Sequence, residues 1–104
     1  MSVRLSPRLQ AIASLVPPGA RLIDVGTDHG LLPVWLALSG RIRHAWASEL
    51  RPGPLQGAAK LIREEGVEEL VFPRLADGLE GFSPSDGDTI VIAGMGGDAI
   101  AGIL

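Results

Sequence analysis

Residues 21–33 read Arg21-Leu22-Ile23-Asp24-Val25-Gly26-Thr27-Asp28-His29-Gly30-Leu31-Leu32-Pro33, and the order of residue types in this stretch decides the fold. A short β-branched apolar run closes on Gly26, a polar turn follows, and apolar residues then resume at helical density through Leu38. The pattern is strand, glycine turn, helix. Proline lacks an N–H and clashes with the turn before it deeper in a helix, so Pro33 puts the helix start at about Leu31 or Leu32. Gly40 suits the left-handed position just past the helix end.

The same rhythm extends outward in both directions. Upstream, Ser6-Pro7 pairs a hydroxyl cap with proline at the first helical position, Leu9, Ile12, Ala13 and Val16 follow at helical spacing, and Pro17-Pro18-Gly19 ends the run. Downstream, His44 to Glu49 reads as a second strand, Leu55 to Glu65 as a helix stopped by Gly66, and Leu70 to Leu75 as a third strand whose Pro73 suits a sheet edge. Thr89-Ile90-Val91-Ile92-Ala93 is apolar on both faces, the mark of an interior strand in a parallel sheet. After Gly94-Met95-Gly96-Gly97, the segment Ala99 to Leu104 reads as the start of a helix. Trp35 and Trp46, among apolar neighbours, are expected in the core. Strands alternating with helices imply an α/β, Rossmann-like parallel sheet of four strands in the order 3-2-1-4.

Bulk properties set limits on this domain. The chain has 104 residues, 46% apolar and 20% charged, which is enough for one small folded domain and argues against a disordered tail. No apolar run approaches the roughly 18 to 20 residues of a membrane span, and no apolar stretch of secretory type follows the first arginines. The expected location is the cytoplasm. With no cysteine, disulfides, thiolate metal sites and cysteine nucleophiles are excluded. The net charge of −3 is not that of a self-sufficient nucleic-acid binder. It is unevenly spread: six arginines face three carboxylates through residue 51, and three basic groups face nine acidic ones beyond it. Arg4, Arg8, Arg41 and Arg43 can therefore form a basic face, although scattered solvated arginines are the simpler reading.

In such sheets ligands bind at the carboxyl ends of the strands, so the residues after each strand carry the function. Gly26 and Gly30 fit a nucleotide-binding turn, yet a dinucleotide fingerprint would need glycine at 28 and 31, where this chain has Asp28 and Leu31. An aspartate in that turn repels a pyrophosphate but accepts hydrogen bonds from a neutral or cationic ligand, such as the amino-acid end of S-adenosylmethionine. Glu49 lies 23 residues after Gly26, near the spacing at which an acid takes a ribose diol. Asp77-Gly78 can meet an adenine amino group or be an ordinary turn. Three glycines in Gly94-Met95-Gly96-Gly97 imply close backbone approach to a flat ligand. His29 fits a loop-fixing role better than that of a base. Hydrolase, metalloenzyme and P-loop patterns are absent.

Asp24 through Pro33, Ala47-Ser48-Glu49 with Gly53-Pro54-Leu55-Gln56, Asp77-Gly78-Leu79, and Asp88 through Gly97 together resemble the bacterial tRNA (adenine-22, N1)-methyltransferase family. The resemblance runs in order from the first helix to the last residue. It implies a class I, S-adenosylmethionine-dependent enzyme that methylates N1 of an adenine in tRNA, with a Rossmann-like domain followed by a helical C-terminal domain. By position, the resemblance implies that Gly26, Asp28 and Gly30 are the cofactor loop, Glu49 the ribose acid, Asp77 and Gly78 the adenine contact, Ala93 and Gly94 further cofactor contacts, and Gly94 onward the wall between methyl group and target base. Asp28 is the candidate catalytic residue, holding the adenine amino group. Thr27 and Gly30 stand where relatives often carry serine and alanine. Nothing in residues 1–104 corresponds to strands five to seven or to the helical domain. The expectation is a truncated cofactor-binding domain whose fourth strand is a bare apolar edge, open to a second copy or a completing polypeptide. A non-catalytic module that binds cofactor or a partner is the alternative.

Overall fold

The computed structural model describes residues 3–93 and 99–103. Ser6 caps the first helix, α1 (Pro7–Leu15), by accepting a 3.2 Å hydrogen bond from the Leu9 amide, and Pro7 occupies the first turn, where its missing N–H costs nothing. The chain continues as β1 (Ala20–Val25), α2 (Leu31–Leu38), β2 (Ile42–Glu49), α3 (Pro52–Glu64), β3 (Val71–Leu75), β4 (Thr89–Ala93) and β5 (Ala99–Ile103). Gly40 and Gly66 end α2 and α3 with φ of 72° and 70°, as the helix-stop reading requires.

The sheet order is β3-β2-β1-β4-β5, with the first four strands parallel. Register places Leu22 beside Ala45 and Thr89, Ala45 beside Val71, and Asp24 beside Ala47 and Val91. These residues share one face, and the apolar ones among them form the core with Ile12 and Ala13 of α1, Leu32, Val34 and Leu36 of α2 and Ile62 of α3. Burying side chains of this size supplies about 1.5 to 3 kcal/mol each, which is what holds the three helices to this face. Asp24 is the exception in the row, a carboxylate where its neighbours are apolar.

The other face carries Ile23, Trp46, Phe72 and Ile90 in one row and Val25, Ser48, Arg74 and Ile92 in the next. Trp46 therefore lies outside the main core, contrary to expectation. It is half-buried, with ring centroids 5.3 Å from Phe72 and 5.8 Å from Phe82, and the Arg74 guanidinium covers the Phe82 ring at 4.3 Å. Period-two alternation on β2 decides this, because Trp46 is flanked by Ala45 and Ala47, which point to the helices. Trp35 packs partly buried against the core.

The last segment differs most from its sequence reading. Residues 99–103 form a strand, not a helix, pairing antiparallel with β4 from Ala93↔Ala99 to Thr89↔Ile103. A five-residue helix closes almost no intrahelical bonds, whereas the same residues as a strand satisfy the unpaired edge of β4. The fourth strand is thus covered by the chain itself, and the bare edge expected to recruit a second copy or another polypeptide is not present on β4. Pro73 does lie on an edge strand, β3.

Candidate functional site

A cavity of about 480 Å³ opens at the carboxyl ends of β1 and β2, lined by Asp24, Gly26, Thr27 and Asp28, by Leu31 and Leu32 of α2, by Glu49, Leu50 and Arg51, by Val91, and by Arg8 and Leu9 of α1. Gly26, Asp28 and Glu49 are brought together here, as their positions after β1 and β2 require. Asp77 lines an adjoining cavity of about 350 Å³ that shares Leu50 with the first. Gly78 sits in the same loop with φ of 59°, which suits glycine. Ala93 is the last residue of β4, and Gly94 with the rest of its glycine run lies outside the described residues.

The loop between β1 and α2 is wound left-handed. Gly26, Asp28, His29 and Gly30 have φ of 71°, 42°, 62° and 73°. Two consecutive non-glycine residues in this region cost on the order of 1–3 kcal/mol each, so surrounding packing must hold them. Gly30 caps α2 without lining the cavity, and a Cβ there would stand 3.1 Å from the Ala58 Cβ, so its bare backbone seats the loop on α3. Next to it, a Cβ on Gly57 would stand 2.6 Å from Nδ1 of His29, so the imidazole lies against the bare backbone of Gly57. His29 Nε2 is also 3.5 Å from Asp28 Oδ1. These contacts support the loop-fixing reading of His29.

Two carboxylates form the floor. Asp24 is 2% exposed and accepts a 2.7 Å hydrogen bond from the Thr27 hydroxyl. Burial pushes its carboxyl up to about 7; the Thr27 bond opposes this rise, and the nearby Glu49 charge adds to it. Glu49 is 6% exposed, and its Oε2 accepts the Leu50 amide at 2.7 Å and the Arg51 amide at 3.5 Å. Its Oε1 has no protein partner among the described residues. The site therefore offers buried acceptors for a cationic, hydroxyl-bearing ligand, with a glycine at the turn.

Asp24, Thr27, Leu50, Arg51 and Arg8 were not legible as site residues. Asp24 carried a signal all the same, since an acid two residues before a turn glycine, on the strand parity of Leu22, must face the core. Arg8 carried none, because only the packing of α1 on the sheet brings it to the cavity. Nor do the four arginines form one face. Arg8 lines the cavity, while Arg41, at the start of β2, donates a 2.8 Å hydrogen bond to the Val16 carbonyl beyond the far end of α1.

The chain matches known proteins along most of its length. A methyltransferase domain model matches residues 5–104. The tRNA (adenine(22)-N(1))-methyltransferase of Bacillus subtilis (strain 168) is 39% identical over 102 residues, 98% of this chain and 43% of that protein. The crystal structure of the B. subtilis M1A22 tRNA methyltransferase matches with a TM-score of 0.86 at 37% identity, covering 91% of this chain and 41% of that one. A Streptococcus pneumoniae protein solved in complex with S-adenosyl-L-methionine matches with a TM-score of 0.85 at 45% identity, covering 89% of this chain and 44% of that one. The chain thus spans less than half the length of these relatives. With a cavity at the carboxyl ends of its strands and a family model matched over nearly its whole length, the chain belongs to the methyltransferase domain family.

Proposed function

We propose that this chain is the S-adenosylmethionine-binding part of a tRNA (adenine-22, N1)-methyltransferase acting in the cytoplasm. The observation that carries the reading is the pair of buried acceptors, Asp24 and Glu49, in the cavity floor beside the Gly26 turn. The ligand fits them: its amino-acid ammonium suits Asp24, its ribose diol suits the free Oε1 of Glu49, and its adenine suits the neighbouring cavity at Leu50 and Asp77. When bound, it supplies an electrophilic sulfonium methyl.

The remaining work belongs to the chain. N1 of the target adenine is itself the nucleophile, so its lone pair forms the new N–C bond as the S–C bond breaks, and the positive charge passes to the base. Positioning and exclusion of water matter more than a strong base. Asp28, held at the cavity by the left-handed loop, accepts a hydrogen bond from the N6 amino group, which aims N1 and offsets the charge the base acquires. In an active protein, Asp28→Ala should lower single-turnover methyl transfer to tRNA by about 10²-fold. An unchanged rate removes this role.

The second reading is a module that binds the cofactor without turnover, or one that another polypeptide completes. Titration of S-adenosylmethionine by calorimetry, followed by an assay of methyl transfer to unmodified tRNA, separates the two. Binding with transfer supports the enzyme and binding without transfer the module. Absence of binding removes both.

A further inference from the structure

We infer that Arg74 is a positioning residue for the cavity beside Asp77, holding the wall of that cavity from outside it; this rests on the adenine reading of the cavity and names what shapes it. The wall is the loop after β3. Leu75, Ala76, Asp77, Glu80 and Gly81 line the cavity with Leu50, and Arg74 is not among them. Within the loop the Glu80 amide donates to the Asp77 carbonyl and the Phe82 amide to the Leu79 carbonyl, each at 3.0 Å, so the chain makes two successive turns. Its near end is tied to the sheet, where the Ala76 amide donates to the Glu49 carbonyl at 3.0 Å. Among the described residues, no backbone bond ties its far end, Gly81 and Phe82, to a strand.

Arg74 ties it instead. Strand alternation puts Arg74 on the outer face of β3, in register with Ser48, one residue before Leu75, which turns to the cavity. Its Nη2 donates a 3.0 Å hydrogen bond to the Gly81 carbonyl, and its guanidinium carbon lies 4.3 Å from the Phe82 ring centroid and 5.8 Å from that of Trp46. Phe82 meets Trp46 edge-on, so the end of the loop rests on the outer aromatic face and the guanidinium closes over it. A planar cation donates at its edge and stacks through its face at once, which an ammonium cannot do. Gly81 is fitted to this clamp: its φ is 82°, and a Cβ there would collide with the guanidinium. Among the described residues Arg74 makes no ion pair with Asp77 or Glu80, so the carboxylates of the wall are left to a ligand.

The test is base discrimination, measured by calorimetry on the whole chain with S-adenosylhomocysteine and S-inosylhomocysteine, which differ only in the amino or oxo group at position 6 of the purine. Wild type should prefer the adenine ligand about tenfold, because an oxo group cannot donate to Asp77. Arg74→Ala should lose about tenfold on the adenine ligand and change less than twofold on the inosine one, which abolishes the preference. Arg74→Lys, which keeps a donor for Gly81 without the stack, should retain a preference of about threefold, and it decides the matter if Arg74→Ala does not fold. Phe72→Leu, a change to the same aromatic face outside the clamp, should leave the preference as in wild type. A full wild-type preference in Arg74→Ala or Arg74→Lys, or a preference lost equally in Phe72→Leu, overturns the role of Arg74 and leaves the cofactor reading intact. Wild type that binds both ligands equally overturns the adenine reading of this cavity, and the role of Arg74 with it. Wild type that binds neither overturns the cofactor reading itself.

Discussion

The Thr27 hydroxyl donates a 2.7 Å hydrogen bond to the buried carboxylate of Asp24, three residues back across the Gly26 turn. This bond joins the end of β1 to the loop before α2 and partly offsets the burial of the carboxylate in the cavity floor. Asp24 would otherwise be a core residue of the wrong kind, and its raised carboxyl records what that burial costs.

The first prediction concerns pH. In the unfolded chain Asp24 titrates near about 3.9, and in the folded protein near about 7. Between these values the folded state retains a proton that the unfolded state has lost, so stability falls as pH rises through the window and levels off above it. The ligand-free protein should lose on the order of a few kcal/mol from this group between pH 4.5 and pH 8. Asp24→Asn should remove that dependence and weaken binding of S-adenosylmethionine. Urea denaturation across the window checks it: parallel profiles for wild type and variant contradict the assignment.

Gly57→Ala should separate stability from function. Alanine is the better helix former by about 1 kcal/mol, so α3 should gain stability. The new Cβ meets the His29 ring, however, and displaces the loop that carries Asp28. Affinity for S-adenosylmethionine should fall roughly tenfold, since small misplacements in a site are costly. Adding His29→Gly removes the colliding ring and should restore part of the affinity. A double variant no better than Gly57→Ala alone would count against the seat.

Ser48 lies on the less covered face of the sheet, fully buried, with no hydrogen-bond partner for its hydroxyl among the described residues. An unpaired buried hydroxyl costs about 1 kcal/mol or more, so Ser48→Ala should stabilise the protein by about that amount in chemical denaturation. A loss of stability instead would mean that the hydroxyl has a partner in solution.

Asp88 ties the start of β4 to the start of β1. Its carboxylate accepts the Arg21 amide at 3.0 Å and the Thr89 hydroxyl at 2.9 Å and pairs with the Arg21 guanidinium at 3.4 Å. Burial alone would raise its carboxyl, but the hydrogen bonds from Arg21 and Thr89 prevail and hold it below its usual range. A depressed carboxyl contributes stability above its unfolded value, near about 3.9, and loses it as pH falls through the folded value. Asp88→Asn should therefore melt below wild type at pH 7, with the gap closing at pH 2. A gap that persists in acid would point to packing and not to charge.

Much of this molecule is local. Ser6-Pro7, the Gly26 turn, Pro33, Gly40 and Gly66 announce element boundaries because φ limits and missing donors act within a few residues. That Gly26, Asp28 and Glu49 would come together was legible because a parallel sheet gathers its strand ends on one side, where they line one cavity. Trp46 and residues 99–103 were misread for a shared reason. The face a strand residue takes depends on register, and residues 99–103 became a strand because a neighbouring edge needed partners.

By itself, then, the sequence determined a parallel α/β sheet in the order 3-2-1-4 and the glycine turn between β1 and α2, since those follow from periodicity, glycine and proline. Only the tertiary structure decided that Asp24 is buried in the cavity floor with its proton affinity raised, that His29 sits on bare backbone at Gly57, that Arg8 reaches the cavity from α1, and that β5 covers β4. Each of these is a relation between segments distant in sequence or a property of burial, and neither residue type nor spacing encodes such a relation until the chain has packed.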